Sequence, residues 1–560
     1  MNDADRSPAG NLRPIQEIGK LLGLSPDEIH PHGRHMGKVS LTALDRLKHR
    51  PQARYVLVTA INPTPLGEGK TTTSIGLTMG LCRLGHRAIV TLREPSLGPV
   101  FGIKGGGTGG GRAQVVPMEQ INLHFTGDAH AVSAAHNLLS AFVDNHVFHG
   151  NERHIDPERI SWPRTSGISD RALRELMLGT GIQGQKGQFV ISEASEVMAI
   201  LALATGRDDL RHRLGRVIVG LTKDGKPVTS GDLNCVGSMA ALLNDALLPN
   251  VVQTLEGTPA FVHTGPFGNI AHGNCSVLSD AIALRCADYV VTEAGFGSEL
   301  GAEKFFNIKC RVSGHKPSAA VVVATLRALK LHGTGEGIKS GQPLPSSLTG
   351  PNMQALEKGF ANLEQHIANV KRYGVPVVVA VNAFSDDSHA ELEWVRERAK
   401  SAGATDAAVS THWSDGGKGA EALAHAVIAA ASQPSSFSHL YELTWPIKKK
   451  IETIAMAMYG AGAVSYDPSA ERQIGVVGDL GYGQLPICMA KTPLSLSHDP
   501  SLKGRPTGFT LPIKELRLLA GAEFLTAVCS GIQLMPGLPK KPAGERIDVD
   551  GKTGTIVGLT

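Results

Sequence analysis

The chain has 560 residues, of which 42% are hydrophobic and 19% are charged, a balance typical of soluble globular proteins. Its length is too great for one hydrophobic core and predicts about three to four domain-sized units. The net charge of +4 is small for this length, so the composition gives no support for a nucleic-acid partner.

The cysteines and the lengths of the apolar runs indicate the redox compartment of the protein and whether it crosses or enters a membrane. The seven cysteines are odd in number and widely spaced, and none belongs to a CxxC pair. This pattern favours reduced thiols in a cytoplasmic protein over disulfides or a zinc ribbon. No stretch is apolar for long enough to span a bilayer, and no apolar core follows the polar first residues. We therefore expect no membrane partner and no signal peptide.

The first strongly patterned region joins a strand, a glycine-rich turn and a helix. Residues 55–60 form a short, unbroken apolar run, which predicts a buried parallel strand. After the turn, Ile75, Met79 and Cys82 recur at the spacing of one helix face. Residues 87–92 predict the next strand. This order of elements is the context that a phosphate-binding loop requires.

The turn itself has the residue types of such a loop. Glycines allow backbone N–H groups to close around phosphate oxygens, and the following helix N-terminus adds positive partial charge. A lysine would reach the outer phosphates, and a threonine hydroxyl would suit a magnesium ion. The general pattern begins with glycine where this chain has threonine, so a glycine-rich turn with a solvated lysine is the alternative. The predicted ATP-binding residues are Thr64, Pro65, Leu66, Gly67, Glu68, Gly69, Lys70 and Thr71.

Polar and glycine residues follow the second strand. Arg93 and Glu94 come directly after it, and a glycine run occupies residues 105–111. Such a run is either a flexible linker or a loop whose backbone closes on a ligand, and the pattern leaves both open. Further along, Asp128 is a candidate site residue, although capping a helix that begins at Ala129 would also explain an aspartate there.

Between residues 187 and 330, strand-like and helix-like segments alternate, which is typical of a parallel sheet covered by helices on both faces. Polar and glycine residues gather after several of these strands, where open α/β sheets bind their ligands. The predicted strands lie at 216–222, 260–263, 289–293 and 319–325.

Two breaks in composition predict three units, at residues 1–340, 341–435 and 436–560. The middle unit has predicted strands at 375–381 and 407–410, and an aromatic residue follows each of them, Phe384 and Trp413. A flat heterocycle could stack between these rings. Ordinary packing of loop aromatics is the simpler explanation from the pattern alone.

Several long motifs, in one order along the chain, resemble those of the formate–tetrahydrofolate ligase family. The resemblance runs from about residue 15 to the C-terminus. The motifs are Thr64-Pro-Leu-Gly-Glu-Gly-Lys-Thr71, Arg93-Glu-Pro-Ser-Leu-Gly-Pro99, Gln114-Val-Val-Pro-Met118, Asn122-Leu-His-Phe-Thr-Gly-Asp128, Val291-Thr-Glu-Ala-Gly-Phe-Gly297, Leu300-Gly-Ala-Glu-Lys-Phe305 and Pro536-Gly-Leu-Pro-Lys-Lys-Pro542.

The resemblance implies an enzyme that uses ATP to join formate to tetrahydrofolate, giving 10-formyltetrahydrofolate, ADP and phosphate through formyl phosphate. It implies an α/β fold with a P-loop NTPase-like parallel-sheet domain over 1–340, a folate-binding α/β domain over 341–435 and a small C-terminal α/β domain. Magnesium would accompany ATP, a monovalent cation would activate the enzyme, and four copies of the chain would form a homotetramer.

For the reacting groups, the resemblance implies that Lys70 holds the transferring phosphoryl group. Arg93 would be the second cation beside the acyl phosphate, since a guanidinium suits two oxygens at once. A salt bridge with neighbouring Glu94 is the alternative for Arg93. Glu94 and Asp128 are implied as weaker catalytic candidates, either at the magnesium or behind the reacting groups.

The remaining implied roles concern the loop and the aromatic residues. Threonine is what the family has at position 64, so Thr64 agrees with the family motif rather than departing from it. Thr71 is the candidate magnesium contact. Phe384 and Trp413 match the aromatic pair that the family uses for the folate ring, which favours the stacking interpretation over ordinary packing.

Two other protein classes would share part of this pattern. A regulatory P-loop ATPase of the partitioning or metal-insertion kind has a similar loop, but it usually has a second lysine near the start, where this chain has residues 62–64 without lysine. Those proteins are also much shorter. A P-loop ligase for another carboxylate would share Lys70 and Arg93 but would not need Phe384 and Trp413.

Overall fold

The structure, a computed structural model, describes residues 12–65, 67–104, 107–178, 186–338, 344–529 and 532–559. Leu66 of the predicted ATP loop lies outside the described residues, as do Gly105 and Gly106 of the glycine run.

A twelve-stranded sheet forms the centre of the fold. The strands of this sheet are β1 Ile29–His32, β2 Met36–Val39, β3 Arg54–Ala60, β4 Ala88–Leu92, β5 Gly109–Gly110, β6 Ala113–Val116, β7 Asn250–Thr254, β8 Pro259–Val262, β9 Tyr289–Glu293, β10 Ala319–Thr325, β11 Val377–Asn382 and β12 Asp406–Ser410. Seven neighbouring strands run parallel in the order β8-β4-β9-β3-β10-β11-β12, and antiparallel strands extend the sheet beyond β8.

Helices cover both faces of this sheet. The described helices of eight or more residues are α1 Ile15–Leu22, α2 Lys70–Arg83, α3 Asp128–Phe148, α4 Glu196–Leu203, α5 Arg207–Gly215, α6 Val277–Cys286, α7 Leu326–Thr334, α8 Met353–Lys371, α9 His389–Ser401, α10 Glu421–Ala431, α11 Ile447–Ile454 and α12 Pro468–Asp479. Shorter α-helices are Thr42–Leu47, Leu97–Pro99, Met118–Asn122, Val236–Leu242, Cys310–Ser313, Ser346–Thr349 and His412–Asp415.

The central strand β3 explains why the sheet is buried on both sides. Its residues Val56 and Val58 pack in one core cluster with α2 and α10, whereas Leu57 packs in another that includes Leu363 of α8. Successive side chains of a strand point to opposite faces, so an unbroken apolar run is required where both faces carry helices. The predicted parallel strands after residue 50 are therefore confirmed at β3, β4, β8, β9, β10, β11 and β12.

One predicted strand lies elsewhere. The segment Ile218–Thr222 does form a strand, but it belongs to a separate sheet with Ile155–Ile160 and Pro227–Thr229, and both pairings are antiparallel. The prediction of a parallel strand was wrong here because a tight turn follows, in which Gly225 has φ +87°. A chain that reverses within a few residues pairs with itself in the antiparallel sense.

The C-terminal part adds small sheets of its own. Ala463–Tyr466 pairs in parallel with Thr510–Ile513, and Phe524–Val528 lies between Ile487–Ala490 and Glu515–Leu519. The whole is thus a mixed α/β structure with one large, mainly parallel sheet and several smaller ones. Among the described residues, no helix combines the length and apolar character needed to cross a membrane.

The main sheet continues across residue 340. Strand β10 pairs with β11 over six residue positions, and β11 pairs with β12 over five. The first strand of the predicted middle unit, β11, is therefore a hydrogen-bonded neighbour of β10, which precedes that unit, and β12 joins the sheet through β11. The division into units at 1–340, 341–435 and 436–560 stays a prediction.

Candidate active site

Five strands in a run of six neighbouring parallel strands bring together most of the predicted site residues at their carboxyl ends. The predicted ATP loop follows β3, Arg93 follows β4, Phe384 follows β11, and Trp413 follows β12. Glu293, at the end of β9, lies between the first two strands in the sheet order. Parallel strands place their carboxyl ends at one edge, so chain segments far apart in sequence meet there.

The predicted ATP loop connects β3 directly to α2, whose first residue is Lys70. Gly67 and Gly69 have φ values of +73° and +77°, a region that other residues rarely adopt. A Cβ on Gly69 would also lie 2.7 Å from Nδ2 of Asn382. Glycine is therefore required at position 69 for two reasons, backbone conformation and space. Pro65 and Gly67 are exposed, whereas Thr64 and Glu68 are buried.

Hydrogen bonds hold this loop in place. The Thr64 backbone N–H donates to Oε1 of Glu68 at 2.6 Å, which closes a turn within the loop. Asn382, the last residue of β11, donates from Nδ2 to the Glu68 carbonyl oxygen at 2.9 Å. On its other side, the Thr73 hydroxyl lies 3.1 Å from Oδ1 of Asn382. The end of β11 thereby fixes both the loop and the first turn of α2.

Glu293 connects the loop to Arg93. The Thr71 hydroxyl donates to Oε2 of Glu293 at 2.7 Å, and Nε of Arg93 lies 3.5 Å from the other carboxylate oxygen. The ion-pair partner of Arg93 among the described residues is thus Glu293, and the alternative pairing with Glu94 is not observed. Arg93 keeps 29% of its side-chain surface exposed, so its guanidinium remains accessible to a ligand.

Sequence analysis did not single out Glu293 as a site residue. It occurs within a motif that carried the family resemblance, and it is the last residue of a strand whose five residues are all buried. A carboxylate at the end of a buried strand was the available signal, because burying a charge is costly unless it has partners.

Opposing charges surround Lys70. Burial lowers the pKa of Lys70, the carboxylates of Glu68 and Glu293 oppose that shift, and the Arg93 guanidinium adds to it. Within the described part of the chain, no carboxylate lies at salt-bridge distance from the Lys70 ammonium group. The loop lysine and Arg93 therefore form a site with two cations, suited to phosphate oxygens.

Asp128 forms a buried ion pair with Lys38. Nζ of Lys38 donates to Oδ1 of Asp128 at 2.7 Å, and Nδ2 of Asn250 donates to Oδ2 at 2.7 Å. The helix α3 begins at Asp128 itself and its N-cap is Gly127, so the alternative explanation of Asp128 as the cap of a helix from Ala129 is not observed. The contacts of this carboxylate with Lys38 and Asn250 are the interactions that hold Asp128 in place.

Glu94 is electrostatically linked to Asp128. Burial, followed by the negative charge of Asp128, raises the pKa of Glu94 well above its ordinary value. Its Oε2 atom is buried and has no hydrogen-bond partner among the described residues. The backbone N–H of Glu94 donates to the carbonyl oxygen of Thr264 at 2.8 Å, which ties this strand end to the loop after β8.

The aromatic pair lies on neighbouring strand ends and is exposed. Phe384 has 40% of its surface accessible, and the Arg327 guanidinium stacks over its ring with Cζ 4.0 Å from the centroid. The Arg327 side chain also pairs with Asp386. Large aromatic surfaces left open to solvent at a strand edge are suited to cover a flat ligand.

Trp413, 56% exposed, contacts the glycine run. Residues 109–110 pair with 113–114 in a short hairpin, and the Arg112 N–H donates to the Trp413 carbonyl oxygen at 2.8 Å. A Cβ on Gly111 would lie 2.2 Å from that oxygen and 2.8 Å from Cδ2 of the indole. The described part of the run is therefore an ordered loop beside Trp413 and not a free linker, and closure of its backbone on a ligand stays a prediction.

The donors at this edge fit a magnesium ion carried by a nucleotide. The Thr71 hydroxyl and the Glu293 carboxylate supply the hard oxygen donors that magnesium prefers. Among residues that the structure describes, no group of three or more His, Cys, Asp and Glu side chains could hold a metal by itself. The donor set therefore suits an ion that completes its coordination with phosphate oxygens and water.

Comparison with known proteins identifies one family. The family model described as formate–tetrahydrofolate ligase matches residues 1–560. A formate–tetrahydrofolate ligase of Roseiflexus sp. is 54% identical over 564 residues, covering 100% of both chains. Relatives with the same name from Saccharopolyspora erythraea and Desulforamulus reducens are 53% and 51% identical, each covering 100% of this chain and 99% of the relative. The chain belongs to the formate–tetrahydrofolate ligase family.

Proposed function

We propose that the protein is an ATP-dependent ligase that joins formate to tetrahydrofolate and releases 10-formyltetrahydrofolate, ADP and phosphate. The full-length family match at more than 50% identity carries this proposal. The two cations and the aromatic pair at one edge of the sheet support it, because they supply separate places for phosphate and for a flat ring.

The chemistry explains why ATP is needed. Formate is a poor electrophile, since its carboxylate has no good leaving group. A formate oxygen attacks the γ-phosphorus, the bond to the ADP oxygen breaks, and formyl phosphate forms. The folate nitrogen then attacks the formyl carbon, the bond to phosphate breaks, and the nitrogen releases its proton to the departing phosphate. In both steps the protein mainly positions the reactants and stabilises charge.

In this mechanism the residues 64–71 form the ATP loop, in the manner of a P-loop NTPase. Lys70 binds the transferring phosphoryl group, and Arg93 neutralises the acyl phosphate from the other side. Glu293 positions both the Thr71 hydroxyl and the Arg93 guanidinium through the contacts at 2.7 and 3.5 Å. The loop residues Pro65 and Gly67 are exposed, which leaves their backbone open to a nucleotide.

We assign Glu94 and Asp128 to a supporting role. Asp128 is held by Lys38 and Asn250, so its contacts are already made within the protein. Its charge acts on Glu94, which directly follows Arg93. Glu94 and Asp128 thereby act on the electrostatic environment of the strand end that precedes Arg93, and they do not contact the reacting atoms.

For the second substrate, Phe384 and Trp413 bind the folate ring by stacking. Their exposed surfaces become buried when the ring enters, and aromatic stacking of this kind contributes about 1–3 kcal/mol per ring. Arg327 holds Phe384 by its position over the ring. The glycine run beside Trp413 allows the chain to approach the indole closely.

Family membership also supports expectations beyond this edge of the sheet. We propose that magnesium enters with ATP near Thr71 and Glu293, where it would neutralise phosphate charge. We also propose that a monovalent cation activates the enzyme, that four copies form a homotetramer, and that the protein is cytoplasmic. The fold would then consist of a P-loop NTPase-like domain and two smaller α/β domains.

The decisive experiment measures formation of 10-formyltetrahydrofolate by the purified protein with MgATP, formate and tetrahydrofolate, omitting each in turn. We expect product only when all three are present. Acetate in place of formate tests a ligase for another carboxylate, and turnover with acetate but not formate would reject the proposed substrate. Rapid ATP hydrolysis without formate and folate would instead support a regulatory ATPase.

A further inference from the structure

The opposite edge of the main sheet contains a cavity that the proposed reaction does not use. Its volume is about 560 Å³, and residues at the beginnings of β3, β4 and β9 line it together with the end of α1. The candidate active site lies at the other ends of these same strands. The cavity volume falls within the range of about 300–1,000 Å³ that small-molecule sites occupy.

Positive charge dominates the lining of this cavity. Five cationic side chains, Lys20, Arg50, Arg54, Arg87 and Arg285, surround it, against a single carboxylate. That carboxylate, Asp288, is paired with Arg87 at 2.6 Å. Four cations therefore remain without a carboxylate partner in the described part of the chain, in a protein whose net charge is only +4.

Two of these arginines are held by neutral groups. Arg54 donates from Nη1 to the Ala431 carbonyl oxygen at 2.6 Å, and Arg285 donates from Nη1 to the Arg50 carbonyl oxygen. A main-chain carbonyl orients a guanidinium but does not neutralise it. The remaining N–H groups of each fork stay available, so the cavity has fixed, uncompensated donors of the kind that bind phosphate in a bidentate manner.

Apolar groups complete the walls. Leu21 at the end of α1 is 47% exposed, and Pro51 and Ala287 also line the cavity. A single inorganic phosphate would leave most of 560 Å³ unfilled and would contact few of these apolar groups. We propose that this cavity binds a small molecule with a chain of two or more phosphates, of which a nucleoside polyphosphate fits both the charged and the apolar walls.

Calorimetric titration of two probes tests this proposal. Inorganic tripolyphosphate and GTP are titrated into the full chain carrying Lys70→Ala, which weakens phosphate binding at the candidate active site. We expect saturable binding with one site per chain. Adding Lys20→Gln and Arg50→Gln should weaken it by about tenfold for each charge removed. Tighter binding of GTP than of tripolyphosphate would assign a nucleotide, and equal binding would assign the inorganic chain.

A matched pair of substitutions controls for non-specific charge. Lys226 and Lys448 are exposed lysines away from the cavity, each paired with an exposed carboxylate, and Lys226→Gln with Lys448→Gln removes the same charge. Equal weakening by this pair would overturn the proposal, as would no binding of either probe at millimolar concentration. Light scattering completes the test: a smaller oligomer in the cavity variant, with no effect of the probes, would make this surface an interface between copies and also overturn it.

Discussion

The proposed nucleotide half and the proposed folate half of the candidate site are held in different ways. In the nucleotide half, a buried carboxylate, Glu293, fixes the hydroxyl of Thr71 and lies beside Arg93. In the folate half, Phe384 and Trp413 are 40% and 56% exposed, and their rings are held mainly by an arginine on one side and a glycine run on the other.

Under the proposed function, this difference follows from what each half has to do. Phosphoryl transfer moves charge, so its stabilising groups have to be in place before the reaction begins. A folate ring carries no charge that the protein must neutralise, and its binding draws on apolar surface that is open until the ring arrives. Substitutions in the first half should therefore lower kcat, whereas substitutions in the second half should raise KM for folate.

The largest expected effect is that of Lys70→Ala. Removing one preorganised charge from the transferring group should lower kcat on the order of 10²–10³-fold. Circular dichroism should be unchanged, because Lys70 makes no ion pair with a described residue. The measurement is the rate of 10-formyltetrahydrofolate formation, with Lys226→Ala as the exposed control. A rate within a few-fold of the parent chain would remove Lys70 from the mechanism.

Glu293→Gln should have the next largest effect. Glutamine keeps the shape and can still accept from the Thr71 hydroxyl, but it removes the charge that attracts Arg93. Losses of about 10–100-fold are typical for residues that orient a catalytic group. We expect that loss in kcat with little change in KM for folate. Glu421→Gln, which breaks an exposed pair with Arg83, is the control and should leave the kinetics unchanged.

Trp413→Ala tests the folate half. Loss of one stacking partner should raise KM for tetrahydrofolate by about tenfold while leaving KM for ATP within about twofold. Trp445, whose ring is covered by Lys449, supplies the matched control Trp445→Ala. If both Michaelis constants rose together, the two halves of the site would not be separate and the contrast drawn above would fail.

Arg327→Gln should have the smallest effect. Arg327 touches the reaction only through Phe384, over whose ring its guanidinium lies at 4.0 Å. Cation–π contacts at exposed positions contribute about 0.5–1 kcal/mol, which corresponds to a rise of about two- to fivefold in KM for folate. Phe384→Ala should raise the same constant further, and adding Arg327→Gln to it should then change nothing more. An additive effect of the two substitutions would show that Arg327 acts by another route.

Much of the central sheet could be predicted from the sequence, because strands buried on both faces need unbroken apolar runs. The segments 289–293 and 319–325 are strands over those same residues. The antiparallel strands at the sheet margin were not predicted, since Ile29–His32 is mostly polar and exposed. The strand at 218–222 was recognised as a strand, but its sheet was not, because pairing partners depend on the turn that follows.

Residues of the candidate site could be predicted only where they belong to a recognisable sequence motif. Lys70, Arg93 and the aromatic pair came from local patterns and the family resemblance. Glu293 was missed because its partners, Thr71 and Arg93, are about 200 residues away in sequence and meet it only through the order of the strands. The partner of Asp128 was missed for the same reason: Lys38 lies on an antiparallel strand that the pattern did not predict.

Because the main sheet continues across residue 340, the distance between the ends of β3 and β12 is set by the spacing of its strands. From β3, which the predicted ATP loop follows, the order runs through β10 and β11 to β12, which Trp413 follows. Adjacent strands lie about 4.8 Å apart, so this succession spans about 14 Å. Backbone hydrogen bonds between these strands fix that span. Under the proposed function, the spacing of the strands sets the distance between the phosphoryl group and the folate ring, so a substrate of another length would fit the two positions less well.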